Sequence, residues 1–392
     1  MSRGSRNLRW LALSAFCLSF GFGIYMSTAT NFAVQEIRIV PMQQGMLESV
    51  REVPGFLVVL IAALTMRIAE PVLAGISLGL VAAGMAAYST VQDFRYLLLY
   101  SLVWSLGIHT WMTISPSMAM SLADKDSRGR RLGQLASIGA LGTVLGMALV
   151  RIAGDSVGMR QLFVYAGGAI GLGAVAVALI SRDIGHKEKP RLVWKQRYSL
   201  YYLLTFLEGC RKQVFMTFAV FALVLNYGTP LKVVATLMIV NNLLNLFLAP
   251  KVGRLIDRIG ERKVIAFCYA ALIPVFIGYA TIKVPGVLYV LYCLDNLFFL
   301  GSMGLNTYLH KIAEPEDVMP SLAMGVSMNH TAAVAVPLIG GYLWTRFDYP
   351  TTFIGGAIIV AISVAAALRI RIAPGGRTES EVSLEPEAVG NP

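Results

Sequence analysis

Three charged residues, Glu208, Arg211 and Lys212, stand in the middle of an apolar run from Tyr198 to Leu225. About 20 helical residues at 1.5 Å each cover the roughly 30 Å hydrocarbon layer of a bilayer, so this run can cross one with Arg211 and Lys212 near its midpoint. A charge there costs about 2.5 to 3.5 kcal/mol on insertion scales and normally faces protein or a watery cavity. On a helix, Thr205, Glu208, Arg211, Lys212 and Phe215 share one face. Glu208 precedes the two cations by three and four residues and can neutralise one of them, not both. The chemistry open to the set is anion binding or ion pairing. Arg211 is the better anchor, because its planar fork offers a carboxylate or phosphate two hydrogen bonds where Lys212 offers a point charge. A second apolar run holds Asp295 and Asn296. A carboxylate in a low-dielectric site can exchange a proton, which makes Asp295, with Glu208, the candidate proton carrier. Permanent pairing with Arg211 would instead hold Asp295 ionised. Two readings of Arg211 and Lys212 therefore stay open: contact with a solute or coupling ion, or a structural network with Glu208 and Asp295.

Other polar groups fall near the middle of apolar runs: His109, Asn241, Asn242, Asn245, Asn329 and His330. His109, Asn241, Asn245 and Asn329 join Arg211 and Lys212 as candidate solute-binding residues, against the alternative that each bonds a neighbouring helix. The histidines titrate in the physiological range. Glu48, Arg51 and Glu52 pose a separate question. The clean apolar run beside them, Pro54 to Met66, has 13 residues and is too short to cross, so its helix must include all three. They form either an intrahelical ion cluster at a cavity mouth or a solvated helix start with Pro54 as a bend.

The elements that must position these groups are legible in composition. Of 392 residues 56% are hydrophobic and 14% charged, with a mean hydropathy of +0.65, which indicates a polytopic membrane protein. Apolar runs bounded by charge, Pro or Gly give twelve spans, beginning near Trp10, Met46, Pro71, Tyr96, Leu132, Gln161, Tyr198, Leu231, Val264, Gly286, Pro320 and Thr352. With the amino terminus in the cytoplasm, 23 of the 33 Lys and Arg fall in cytoplasmic segments and 7 on the other side, as the positive-inside rule requires. Both termini are expected in the cytoplasm of a cell whose inner membrane holds the chain. The net charge of +11 is then a topology signal, and no nucleic-acid partner is expected. Cys17, Cys210, Cys268 and Cys293 stand singly, so neither a disulfide framework nor a metal site is expected.

The predicted organisation is six spans over 1–181, a basic cytoplasmic linker over 182–197, six spans over 198–372, and a disordered cytoplasmic tail over 373–392 rich in Pro, Gly and Glu. Glycines run through span five at Gly129, Gly133, Gly139, Gly142 and Gly146, and through span eleven at Gly325, Gly340 and Gly341. Close helix packing accounts for such spacing.

Between spans eight and nine lies Gly253-Arg254-Leu255-Ile256-Asp257-Arg258-Ile259-Gly260-Glu261-Arg262-Lys263. It resembles the G-x-x-x-D-(R/K)-x-G-x-(R/K)-(R/K) loop of the major facilitator superfamily at every defined position. A plain positive-inside loop explains the cations but not Gly253, Asp257 and Gly260 together. In such a turn a carboxylate can cap a neighbouring helix while cations meet carbonyl ends or lipid phosphate. The resemblance spans roughly Arg9 to Arg371 and implies an all-α membrane protein of two six-helix bundles that rock about a midplane site. It further implies that Gly253, Asp257, Arg258, Gly260, Arg262 and Lys263 form a conformational-switch loop. The first half departs from the pattern: Arg67-Ile68-Ala69-Glu70-Pro71 keeps an acid and loses the glycines. Span five lacks the Gly-Pro pair of many antiporters in this superfamily, so the resemblance sets no direction.

The resemblance implies that helices one, four, seven and ten line the cavity. Mid-span polar groups in spans four, seven, eight, ten and eleven, with charge-free cores in three, six, nine and twelve, suit a midplane site. The expectation is a secondary transporter moving a small solute, read as a small anion, by proton-coupled alternating access. The alternative is a proton-driven exporter of amphipathic compounds or drugs, with Tyr25, Trp104, Trp111 and Phe215 as pocket wall. No nucleotide loop of the G-x-x-x-x-G-K-(S/T) kind occurs, and no nucleophile or acid-base spacing suggests an enzyme. Solute, protons and membrane lipid are the expected partners. No cofactor or obligate protein partner is expected.

Overall fold

Pro and Gly punctuate the chain into helices. The computed structural model describes residues 3–65, 67–123, 128–184 and 194–372; the tail at 373–392 and most of the linker at 182–197 lie outside them. The described residues form fourteen α-helices: α1 (Arg3–Asn31), α2 (Pro41–Phe56), α3 (Val58–Thr65), α4 (Glu70–Ala87), α5 (Phe94–Ser121), α6 (Arg128–Val157), α7 (Met159–Ala178), α8 (Ser199–Tyr227), α9 (Leu231–Ile259), α10 (Glu261–Thr281), α11 (Pro285–Phe299), α12 (Met303–Ile312), α13 (Pro315–Phe347) and α14 (Tyr349–Ala367). Pro41 and Pro285 open α2 and α11, where a missing N–H costs nothing. Asp93 caps α5 by accepting from the Arg95 and Tyr96 amides at 2.8 and 3.3 Å.

Among the described residues, ten helical stretches are long and apolar enough to cross a membrane. α11 and α12 make one of them, joined by a 3₁₀ turn over Leu300–Ser302. Gly301 in that turn lies so close to α10 that an added Cβ would meet the Cys268 sulfur at 2.6 Å. α8, at 29 residues, is long enough but carries Glu208, Arg211 and Lys212. The short second run is α2 and α3 with Leu57 between them, three residues after Pro54. Its helix does include Glu48, Arg51 and Glu52.

The chain groups into two compact units. The first holds residues 1–189 with 216–243 and 333–349. In it α6 packs backbone to backbone on α1: a Cβ at Gly146 or Gly142 would come within 2.1 or 2.7 Å of the Phe20 or Phe16 carbonyl oxygen. Close packing thus explains the lower part of the glycine series, whereas Gly129 and Gly133 meet nothing within 4 Å. The start of α2 rests on the end of α13 in the same way. A Cβ at Gly45 would lie 2.2 Å from the Pro337 carbonyl oxygen, and one at Gly341 2.8 Å from that of Pro41. Other side chains of the unit join α1 to the turn between α8 and α9, α2 to α8, and α6 to α9: Asn31 donates to the Thr229 carbonyl at 2.9 Å, Gln44 to that of Thr217 at 3.2 Å, and Arg151 to the Thr236 hydroxyl at 2.8 Å.

The second unit holds 190–215, 244–332 and 350–392. Its core includes Phe215, ringed by Phe276, Tyr279 and Tyr292 at centroid distances of 5.6, 5.1 and 6.0 Å. Where α8 begins, Lys195 pairs with Asp317 at 2.7 Å and Arg197 with both Asp317 and Glu314, the latter at 2.7 Å. Tyr198 donates to the same Asp317 carboxylate at 2.9 Å. Glu314 holds Arg197 above the ordinary arginine range, and Arg197 holds the Glu314 carboxyl below its own.

Candidate functional site

The second unit buries an ion set. Arg211 on α8 donates to Glu208, one turn earlier on the same helix, through Nε at 3.1 Å and through Nη2. Its Nη1 reaches Asp295 on α11 at 3.5 Å, and its guanidinium lies over the Phe299 ring at 5.0 Å. The side chains of Glu208, Arg211 and Asp295 are 5%, 1% and 10% exposed. Helical spacing makes the first contact, and α11 supplies the second. Arg211 therefore holds both carboxylates, tightly to Glu208 and loosely to Asp295. Lys212 is half-buried and makes no ion pair among the described residues. α8 thus crosses its apolar run with one cation compensated twice and one not compensated at all.

Close to this set, Gly209 lets α13 approach, since a Cβ there would lie 3.1 Å from the Asn329 Cα. Asn245 on α9 and Asn296 on α11 exchange amide hydrogen bonds at 2.9 and 3.4 Å, which is a helix-bridging arrangement. Asn241 belongs to the first unit and is buried. There Asn242 donates to the Met238 carbonyl at 2.9 Å.

The first unit has a polar cluster of its own, built on α1, α2 and α5. Arg51 pairs with Glu48 at 2.6 Å and lies 5.0 Å over the Trp104 ring and 5.8 Å over that of Tyr25. Gln44 donates to the same Glu48 at 3.2 Å. Trp104 donates its indole N–H to the Tyr88 hydroxyl at 3.3 Å, and Tyr88 in turn bonds Tyr25 and Ser101. An ion cluster on α2 is therefore what forms, held by aromatic faces. His109 meets it from α5: its Nδ1 lies 2.9 Å from the Ser105 carbonyl and 3.1 Å from the Ser105 hydroxyl, whose proton goes to the Arg51 carbonyl. A carbonyl can only accept, so Nδ1 carries the hydrogen and Nε2 faces Glu52 at 3.9 Å. The structure thus assigns His109 to this cluster. Tyr25 and Trp104 clasp Arg51 and Phe215 is core, whereas Trp111 lines a pocket.

At the loop of Gly253 to Lys263, α9 ends at Ile259 and α10 starts at Glu261, with Gly260 between at φ +87°, a conformation that favours glycine. Asp257, Arg258, Arg262 and Lys263 are exposed. Glu261 is buried and pairs with Lys311 at the end of α12 at 2.6 Å. In the first half Glu70 opens α4 and accepts from Ser117 near the end of α5 at 2.8 Å. α4 and α10 thus each begin with a glutamate tied to the end of a helix that follows, α5 and α12, a repeat that the glycine pattern conceals. The available signal was an acid on the first helical residue, where the dipole favours it.

A family model described as Major Facilitator Superfamily matches residues 11–315 and 201–390. The chain belongs to the major facilitator superfamily. Solved structures agree in fold. The superfamily chain is similar to the nucleoside transporter NupG, with 12% identity, a TM-score of 0.74, and coverage of 94% of this chain and 99% of that one. It is similar to a bacterial homologue of the human lysosomal transporter Spinster, inward-facing and occupied, with 13% identity, a TM-score of 0.73 and coverage of 94% and 98%. It is also similar to the peptide transporter POT in complex with sulfate, with 14% identity, a TM-score of 0.73 and coverage of 93% and 95%. Among curated proteins none matches the chain in sequence. The superfamily read from Gly253 to Lys263 is therefore the right one.

Proposed function

We propose that this superfamily chain is a twelve-span secondary transporter that moves a small anion in step with protons. In this reading the spans form two bundles, 1–181 and 198–372, the linker and both termini are cytoplasmic, and the membrane is the inner membrane of the cell. The ten apolar helical stretches support it. So do α8, whose Arg211 is compensated internally, and the joined α2 and α3. The similar structures are those of transporters, which favours solute movement over catalysis.

The observation that carries the proposal is the unequal hold of Arg211 on its two carboxylates, with Lys212 uncompensated beside it. With Glu208 and Asp295 both ionised, the four groups are neutral. A proton on Asp295, the looser partner, leaves the set at plus one and frees Nη1. A carboxylate or phosphate can then bridge Nη1 and Lys212, and loss of the proton restores the Asp295 contact and expels the anion. Coupling follows from competition for one guanidinium edge.

Uptake of labelled small carboxylates and phosphate into proteoliposomes under an imposed pH gradient tests this. Gradient-driven uptake of an anion is expected in the wild type. Arg211→Lys should lose most of it, and Asp295→Asn should bind the anion at all pH values without accumulating it. Accumulation of neutral or cationic amphipaths, with Arg211→Lys unaffected, would favour the exporter reading. One observation speaks for that reading, an uncharged pocket in the first unit.

A further inference from the structure

That pocket lies between α1, α5 and α6, wholly inside the first unit, and has a volume of about 390 Å³. This is within the range of roughly 300 to 1,000 Å³ usual for small-molecule sites. Ser19 comes from α1, Trp111 and Ser115 from α5, and Leu132, Leu135 and Gly139 from α6; among the described residues no charged side chain lines it. A charged ligand would therefore lose its hydration with nothing to replace it, whereas an apolar surface would be buried favourably.

Several hydroxyls on these helices are satisfied by their own helix, although Thr28 on α1 is buried without a partner among the described residues. Ser14, Ser27, Thr110 and Thr143, on the same three helices, each return their hydroxyl to the carbonyl four residues earlier, at 2.8, 3.0, 2.8 and 3.1 Å. Ser19 and Ser115 do not, and they have no hydrogen-bond partner among the described residues. The indole N–H of Trp111 likewise donates to nothing among them, although its side chain is only 5% exposed, whereas that of Trp104 is used. Pro116, a further lining residue, removes the N–H that the Met112 carbonyl would accept in a regular helix. Trp111, whose indole N–H is unused among the described residues, and two serines without partners among them thus line this space.

We infer that this pocket binds an uncharged, flat, mainly apolar molecule with a hydrogen-bond acceptor on its edge. The ring of Trp111 and the leucines of α6 cover its faces, and the Trp111 N–H with Ser115 takes the acceptor. The site does not depend on the anion reading, because it is an equilibrium property of the first unit. Gly139 is what keeps the space open on one side: an added Cβ would already meet the Ser19 hydroxyl at 3.1 Å.

The test measures equilibrium binding of coumarin, naphthalene and naphthalene-2-sulfonate to the full chain in lipid nanodiscs, without any gradient. These probes share a bicyclic shape. Coumarin has a carbonyl acceptor, naphthalene has none, and the sulfonate carries a charge. The wild type should bind coumarin saturably, naphthalene about tenfold more weakly, and the sulfonate more weakly still. Trp111→Phe keeps the ring and should abolish the preference of coumarin over naphthalene, with Ser115→Ala reducing it in part. Gly139→Leu should lower the binding of both neutral probes to the level of protein-free nanodiscs. If Gly139→Leu does not fold, Trp111→Phe alone decides. Absence of saturable coumarin binding, an undiminished preference in Trp111→Phe, or sulfonate binding as tight as that of coumarin overturns the inference. None of these outcomes bears on anion uptake through Arg211, which is read with a gradient and other solutes.

Discussion

Neutralising the two carboxylates around Arg211 one at a time should give unequal losses of stability. Glu208 holds the guanidinium through two hydrogen bonds on a side chain 5% exposed. Glu208→Gln leaves Arg211 with one anionic partner, Asp295 at 3.5 Å, at the limit of hydrogen bonding. Breaking a buried pair by removing one partner costs about 3 to 5 kcal/mol, because the remaining charge stays buried without adequate compensation. Asp295→Asn removes only that 3.5 Å contact and keeps a polar side chain in place, so its cost should be about 1 to 2 kcal/mol. Arg211→Met is the worst case, since it strands two carboxylates at once. Replacing all three, as Glu208→Gln with Arg211→Met and Asp295→Asn, removes the three paired charges, leaving Lys212, and should recover most of the loss. Thermal unfolding midpoints in one detergent give the order: wild type, then Asp295→Asn, then Glu208→Gln, then Arg211→Met, with the triple variant above Arg211→Met. A midpoint for Asp295→Asn at or below that of Glu208→Gln would refute the unequal hold on which proton coupling rests. A triple variant no better than Arg211→Met alone would show that shape rather than charge governs the site.

Glu261→Gln and Lys311→Met should each cost about 1 kcal/mol in unfolding experiments, since Lys311 is partly exposed, and the double variant should be no worse than either single. Additive losses would mean that the two side chains act separately. Gly341→Leu should force α2 and α13 apart, raising maleimide labelling of a cysteine placed at Asn31 several-fold; unchanged labelling would show that the seam does not control access. At the start of α8, Arg197 lowers the carboxyl of Glu314, so this pair stabilises above the unfolded glutamate value and its contribution fades as pH falls through the folded one. Glu314→Gln should accordingly flatten the acid limb of stability against pH, and an unaltered limb would contradict the assignment. Tags at either terminus or within 182–197 should be reachable only from the cytoplasm, and labelling of any of them from outside would undo the proposed topology.

The helices were legible because crossing a bilayer demands long apolar runs, and the superfamily because Gly253, Asp257 and Gly260 have few other reasons to recur at that spacing. Part of the ion set was legible too. Glu208 and Arg211 are three residues apart, and helix geometry alone brings them together. The link to Asp295 spans 84 residues, so only packing of α11 on α8 could establish it. His109 illustrates what periodicity cannot convey. Its place on the fourth span suggested a solute contact, whereas the carbonyl and hydroxyl of Ser105 and the carboxylate of Glu52 set its hydrogen and its orientation. Arg51 shows the same limit in part: Glu48 on its own helix pairs with it, but the aromatic faces that complete its site come from two other helices.

The contact of Gly45 and Gly341 with the main chains of Pro337 and Pro41 has a consequence for speed. Atoms of the backbone meet there, so no long side chain has to give up its rotational freedom when the two helices come together. A latch of that kind costs little entropy to close and buries little surface that must be rewetted when it opens. If the proposed transport cycle parts these helices, opening and closing can be frequent without being loose, because main-chain shape admits one register only. The same economy makes these positions unforgiving. Neither glycine does any chemistry, yet a single methyl group at either would press on main chain that can yield only by moving the helices apart.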